Sequence, residues 1–205
     1  MTTTDPSHQK QLEMIRFFAS IKPSLKFKII EFQFYKKIDN VEAFCGKPKQ
    51  IDDFLGKMRL QLYEPMFTFV HQFKKFNKIV IIGEGKIQAK KYLDKRMRIT
   101  LGDIPDGVLI GDIPFIFENA ASYAVETTCY CSLGLIHGHD FHDMIKKTPS
   151  IKTDMMQEIL DNPYDHLREE FIETCRKHIN YLAECSDLVL KKLYYKCEQK
   201  FLEVN

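Results

Sequence analysis

Between Pro65 and His139 the chain is a succession of short β-branched and aromatic runs separated by glycine turns. Phe67, Phe69, Ile79-Val80-Ile81-Ile82, Ile87, Met97, Ile99 and Leu101 mark the first runs, and Tyr123-Ala124-Val125 and Leu133–Ile136 the last. Turn signals fall between them at Gly83-Glu84-Gly85, Gly102-Asp103, Asp106-Gly107 and Gly111-Asp112. Many short strands with regular turns predict a sandwich or a jelly-roll barrel. Gly83-Glu84-Gly85-Lys86 lacks the spacing and ending of a phosphate-binding P-loop and reads as a hairpin turn. No apolar run approaches the roughly 20 residues of a membrane helix.

Helical periodicity flanks this region on both sides. Leu12, Ile15 and Phe18 share one face; Ser20 and Pro23 bracket a turn; Leu25, Ile29, Ile30 and Phe32 resume a second helix. Ile51, Phe54, Leu55, Met58 and Leu62 predict a third over Ile51–Leu62. Beyond the strands, Phe141, Met144 and Ile145 begin a short helix stopped by Pro149. After Pro163, the positions Tyr164, Leu167, Phe171, Cys175, His178, Ile179 and Leu182 line one face of a longer helix, acidic early and basic late as the helix dipole favours. The expected fold is α+β: a β jelly-roll barrel flanked by N-terminal and C-terminal helices. It divides into a loose tail at 1–10, linker and lead-in helices at 11–64, the roll at 65–140 and C-terminal helices at 141–205. The stretch Lys177–Val204 echoes Lys37–Pro65, and reads either as the start of a second such unit or as a terminal amphipathic helix on the roll.

Of 205 residues, 44% are apolar and 16 are Phe, enough for a core and too many for a disordered chain. Thirty basic against 28 acidic side chains exclude the charge excess of a dedicated nucleic-acid binder. Six cysteines without a dense framework, and a polar start with no apolar leader, place the chain in a reducing cytoplasmic setting.

Three local patterns carry a chemical and a plain reading. The run Lys86, Lys90, Lys91, Lys95, Arg96, Arg98 reads as a charged hairpin edge that discourages strand pairing, with an anionic-lipid patch as the alternative. Cys129, Cys131, His137, His139 and His142 match no closed zinc motif and read as ordinary strand and helix residues, so no metal is expected. Phe67, Phe69, Phe73 and Phe76 read as core, with the alternative that one or two of them plug a pocket inside the roll. No Ser-His-Asp or paired-carboxylate arrangement points to catalysis.

The order of elements and several strings resemble the cyclic-nucleotide-binding domain family. The segment from Leu101 to Ile116, with Ile110-Gly111-Asp112-Ile113 at its centre, is similar to the family's strand, glycine turn and phosphate-binding cassette. The segment Cys131–Phe141 is similar to its closing strand and following helix, and the helix after Pro163 sits where the regulatory lid helix lies. Phe17–Ile30 resembles the linker that joins the pore to this domain in voltage-gated-type ion channels. The resemblance implies a pore domain in the parent protein or a neighbouring subunit as partner, reached through the terminal helices. It also extends the expected location to the cytosolic face of a membrane or a cilium.

In the family, backbone N–H groups and an arginine hold the cyclic phosphate and a glutamate takes the ribose hydroxyl. The resemblance puts Gly111 at the close-approach glycine, Asp112 at the glutamate, Ile113 beside it, and Asn119 or Ala121 at the arginine. Neither of the last two is cationic. From Ile99 to Ile145 there are seven acids (Asp103, Asp106, Asp112, Glu118, Glu126, Asp140, Asp143) and no Lys or Arg. A buried phosphate without a charged partner is strongly disfavoured. The expectation is a degenerate member, a non-enzymatic regulatory or scaffold domain without cofactor. The alternative is a genuine cAMP- or cGMP-sensing regulatory domain of an ion channel or kinase-type regulator, with a lysine reaching in from the Lys86–Arg98 stretch.

Overall fold

The computed structural model describes residues 20–92, 98–161 and 166–197, less the side chains of residues 166 and 167. Helix α1 (Pro23–Asp39) starts on a proline, whose fixed φ suits the first turn, and buries Ile30, Phe34 and Ile38 at four-residue spacing. Helix α2 (Pro48–Lys57) repeats the device and buries Ile51, Phe54 and Leu55. It ends at an extended Met58, and β1 (Arg59–Tyr63) follows directly. The helix expected over Ile51–Leu62 therefore stops at Lys57. Met58, Leu60 and Leu62 recur at every second residue, which is the strand period.

Seven further strands follow: β2 (Thr68–Val70), β3 (Lys78–Glu84), β4 (Ile87–Tyr92), β5 (Arg98–Asp103), β6 (Leu109–Ile110), β7 (Ala124–Thr127) and β8 (Cys131–His137). They form two antiparallel four-stranded sheets, ordered β1-β8-β3-β6 and β2-β7-β4-β5. The jelly-roll order is present, but the sheets face one another without closing into the expected barrel, since among the described residues no strand of one pairs with a strand of the other. The Gly83–Lys86 corner is likewise no hairpin, because it carries the chain from β3 in the first sheet to β4 in the second. The charged hairpin is β4–β5, with residues 93–97 of its loop outside the described residues.

Strand alternation sorts the core into two layers. Val80, Ile82, Ile110, Val125, Leu133 and Leu135 pack between the sheets. Ile79, Ile81, Leu109 and Ile136 point the other way, against the helices. Gly134, in the middle of β8, is what lets those helices seat: a Cβ there would meet the Met58 sulfur and lie 3.1 Å from the Phe34 ring. Phe34 is fully buried as a result, a contribution of about 1.5–3 kcal/mol.

After β6 comes the short α3 (Asp112–Phe117), and after β8 come α4 (Gly138–Lys147) and α5 (Pro149–Asp161). The sequence reading missed α5, although Ile151, Met155 and Ile159 mark its buried face. Pro149 stops one helix and opens the next. Helix α6 (His166–His178), a 3-10 turn at Asn180–Leu182 and α7 (Asp187–Lys196) complete the described chain, with Ile172, Cys175 and Leu190 as a satellite core. Arg168 is buried and ties α6 to the end of α5, its Nη1 donating to the carbonyls of Ile159 (3.2 Å) and Leu160 (3.1 Å). The readings on residues 1–10, on Leu12, Ile15 and Phe18, on Pro163 and Tyr164, and on Phe201–Val204 lie outside the described residues.

Candidate functional site

The cassette is the segment from Gly111 to Ala121, between β6 and β7. Gly111 is buried with φ +93°, a left-handed conformation that favours glycine. A Cβ there would run into the Lys78 carbonyl and lie 2.8 Å from the Phe76 ring. Helix α3 starts at Asp112 and is closed by Glu118, which is also left-handed at φ +59°. Six residues leave little besides terminal backbone groups, so where those groups go decides what the helix can bind.

The Asp112 carboxylate lies beside the backbone N–H groups of Ile113 and of its own residue, which favour its charged form. Pro114 has none. Phe115 donates to the Gly111 carbonyl at 3.1 Å. The start of α3 thus carries a carboxylate beside its terminal N–H groups.

Burial pushes the Asp112 carboxyl up to about 7, against the lowering effect of those two N–H groups, and the negative charge of Glu158 on α5 adds to the rise. Glu158 is itself raised by burial and by Glu42. Tyr123, half-buried against the inter-sheet core, has its hydroxyl pushed up to about 12 by burial and by the Asp112 charge. The sequence reading named Tyr123 only as a strand residue. Its bulk close to the cassette was visible in the sequence, but its proximity to the Asp112 carboxyl was not.

The two positions offered for the arginine part company. Asn119 is half-buried at the end of α3, its N–H given to the Pro114 carbonyl at 3.1 Å. Ala121 is 3% exposed and its side chain joins the core between the sheets. Its N–H donates to the Lys74 carbonyl (3.1 Å) and its carbonyl accepts from the Phe73 N–H (2.7 Å). Ile113 packs against the helical layer. Of the four phenylalanines, Phe69 and Phe76 pack on the inter-sheet core, whereas Phe67 and Phe73 are half exposed.

Lys90 does not reach inward. It is buried as an ion pair with Glu126, which neighbours the inward-facing Val125 on β7 and so lies on the opposite face of that sheet. Cys129 and Cys131 sit where β8 begins and His137 where it ends, so the cysteines and histidines are not brought together.

The cassette helix is also a joint. Rings run from it through Phe115–Phe141 (5.0 Å between centroids) and Phe141–Phe54 (6.1 Å) to Phe54–Phe44 (5.0 Å), linking α3 to the N-terminal helices. On the other side Phe117 stacks on Tyr195 at 4.9 Å, and Lys196 Nζ donates to the Phe117 carbonyl at 2.7 Å. Helices α5 and α7 are therefore the ones that pack on α3, rather than the described part of the Tyr164–Leu182 stretch expected to act as lid.

No family model and no curated protein matches the sequence. Solved structures do match. One is the regulatory domain of protein kinase A from Toxoplasma gondii in complex with cAMP. It shows 15% identity and a TM-score of 0.58 over 69% of this chain and 53% of that one. Another is the regulatory subunit of a cAMP-independent protein kinase A from Trypanosoma cruzi, bound to guanosine. It shows 15% identity and a TM-score of 0.57 over 72% of this chain and 51% of that one. The chain spans about half the length of each, and neither match bears on the ion-channel linker. Sheet order, cassette position and these matches agree: the chain has the fold of a cyclic-nucleotide-binding domain.

Proposed function

We propose that the chain is a non-enzymatic regulatory domain whose cassette is closed by its own side chains, takes no cyclic nucleotide and acts through protein contacts of its flanking helices. The observation that carries this reading is the make-up of the cassette, which has the Asp112 carboxylate at the start of α3 and no Lys or Arg anywhere from Ile99 to Ile145. A cyclic phosphate would meet that carboxylate, the Tyr123 hydroxyl and no arginine. Burying a charge without its partner costs about 3–5 kcal/mol, and 4 kcal/mol is about a thousandfold in affinity. The ring contacts from α3 to both helical ends support a role in which those ends are held in one arrangement.

A second reading is favoured by one observation, the guanosine bound to the Trypanosoma cruzi regulatory subunit. A nucleoside carries no phosphate, so a cassette without cations does not reject it on charge. Calorimetric titration of the full chain with cAMP, cGMP and guanosine separates the readings. The expected result is no saturation with any of the three up to about 1 mM. Micromolar binding of cAMP or cGMP overturns the proposal. Binding of guanosine alone replaces it with the nucleoside reading.

A further inference from the structure

The segment between β7 and β8 folds back on the corner that joins the two sheets. The Lys86 carbonyl accepts from the Thr128 N–H (2.9 Å), the Thr128 hydroxyl (3.1 Å) and the Cys131 thiol (3.3 Å). The N–H of the same residue donates to the Cys129 sulfur at 3.2 Å. Both sulfurs therefore sit on one residue's backbone. Cys131 belongs to the core between the sheets, Cys129 packs against that core, and the Cys129 sulfur lies beside the Cys131 thiol. Gly85 makes room for this arrangement. At φ +102° it holds a conformation that favours glycine, and a Cβ there would run into the Cys131 sulfur and the Tyr130 carbonyl.

The two thiols differ in access. Cys129 is half-buried, whereas Cys131 is 2% exposed. Burial first, and then the neighbouring Cys129, push the Cys131 thiol up to about 11, so it keeps its proton. The Lys86 N–H is aimed at the Cys129 sulfur, where it would hold the charge of an attacking thiolate. We infer that Cys129 and Cys131 form a site of reversible oxidation that takes a hydroperoxide, with Cys129 as the nucleophile and Cys131 as the resolving thiol.

The chemistry runs in two steps. The Cys129 sulfur attacks the terminal peroxide oxygen, the O–O bond breaks, and the departing oxygen takes the proton that Cys129 gave up. That leaves a sulfenic acid on Cys129 and an alcohol, or water from hydrogen peroxide. The Cys131 sulfur then attacks the Cys129 sulfur, an S–S bond replaces the S–O bond, and the hydroxyl leaves with the Cys131 proton as water. Two electrons pass from the thiols to the peroxide. Residues two apart keep their Cα atoms within about 7 Å even in extended chain, the limit a disulfide bridges. Losing the Cys131 proton leaves the Lys86 carbonyl with both Thr128 donors, so closing the bond orphans no backbone acceptor. A bridge across one intervening residue is strained, and strained disulfides are the readily reduced ones.

The test uses the full chain, reduced and then treated with about one equivalent of hydrogen peroxide. Trypsin cuts after Arg98 and Lys146, and the fragment between holds Cys129 and Cys131 and no other cysteine. That fragment is expected to become lighter by about 2 Da, the two hydrogens of an internal disulfide, and to regain them with dithiothreitol. It is expected to oxidise about tenfold or more faster than the exposed Cys45, an advantage that vanishes in urea. In Cys131→Ser, dimedone is expected to trap a sulfenic acid at Cys129; in Cys129→Ser it is expected to leave Cys131 unlabelled.

A fragment that stays reduced while Cys45 is oxidised would overturn the inference, as would an advantage that persists in urea. Dimedone on Cys131 in Cys129→Ser, none on Cys129 in a folded Cys131→Ser, or a bridge from either cysteine to another part of the chain would do the same. The fragment mass and the urea comparison need no variant, so a substitution that fails to fold leaves the test intact.

Discussion

Replacing Asp112 by asparagine tests the cassette's chemistry without any ligand. The Asp112 carboxyl titrates near 7 in the folded chain against an ordinary value of 3.8. Between those values the folded chain holds a proton that the unfolded chain has released, so stability falls as pH rises through the window. The contribution is fully present below about pH 4 and fully lost above about pH 7. At about 1.4 kcal/mol per unit the shift amounts to about 4 kcal/mol. Asp112 is partly exposed, which screens the charge, so roughly half of that is the better expectation. The asparagine side chain would keep the shape and the acceptor oxygen for the Ile113 N–H and lose only the charge. Asp112→Asn is therefore expected to match the parent near pH 4 and to exceed it by about 2–4 kcal/mol at about pH 8 in urea unfolding. Glu158 shifts in the same direction and repels the Asp112 charge, so the difference reports Asp112 together with its coupling to Glu158. A difference that is flat between about pH 4 and 8, or a variant less stable at the upper end, would refute the account of the cassette as a site that carries its own buried anion.

Two other substitutions address the frame around the cassette. Lys90→Met leaves the Glu126 carboxylate buried without its cation and is expected to cost about 3–5 kcal/mol in chemical denaturation, whereas Lys90→Met with Glu126→Leu is expected to recover most of it. Arg168→Met removes the donors to two carbonyls at the end of α5 and is expected to cost about 2–4 kcal/mol, with faster amide exchange concentrated in α5 and α6; a loss under about 1 kcal/mol would mean water replaces the guanidinium.

The strands were legible because their signal is local. Ile79–Ile82 and Leu133–Ile136 are apolar on both faces, as central strands between two packed layers must be, and the glycine turns mark where each ends. The errors came from pattern competition. Leu62 fits a four-residue step from Met58 as well as a two-residue step from Leu60, and only pairing with β8 decides between helix and strand. Pro149 was read as a stop and hid the helix that it starts. The cassette was legible as a string, and the missing cation followed from composition alone. The partners of its groups were not legible, because Glu158, Tyr123 and Lys196 meet α3 through long-range packing that no spacing encodes.

A helix of six residues is too short to be stable by itself, so α3 is held by what touches it. Its start is fixed by Gly111 against the Lys78 carbonyl and Phe76, and its end by Phe117 under Tyr195 and Lys196. Phe115 joins it to Phe141 and, through Phe54, to the turn that carries Phe44. Moving α3 along its axis would break the Lys196 bond and tilt the ring ladder together, since closely packed rings do not deform independently. The charge on Asp112 bears on this joint directly. When the carboxyl ionises above about pH 7 it faces Glu158 on α5, and the repulsion acts between the cassette helix and the helix whose end Arg168 caps. The Asp112 carboxylate thus sets how firmly the cassette grips the C-terminal helices.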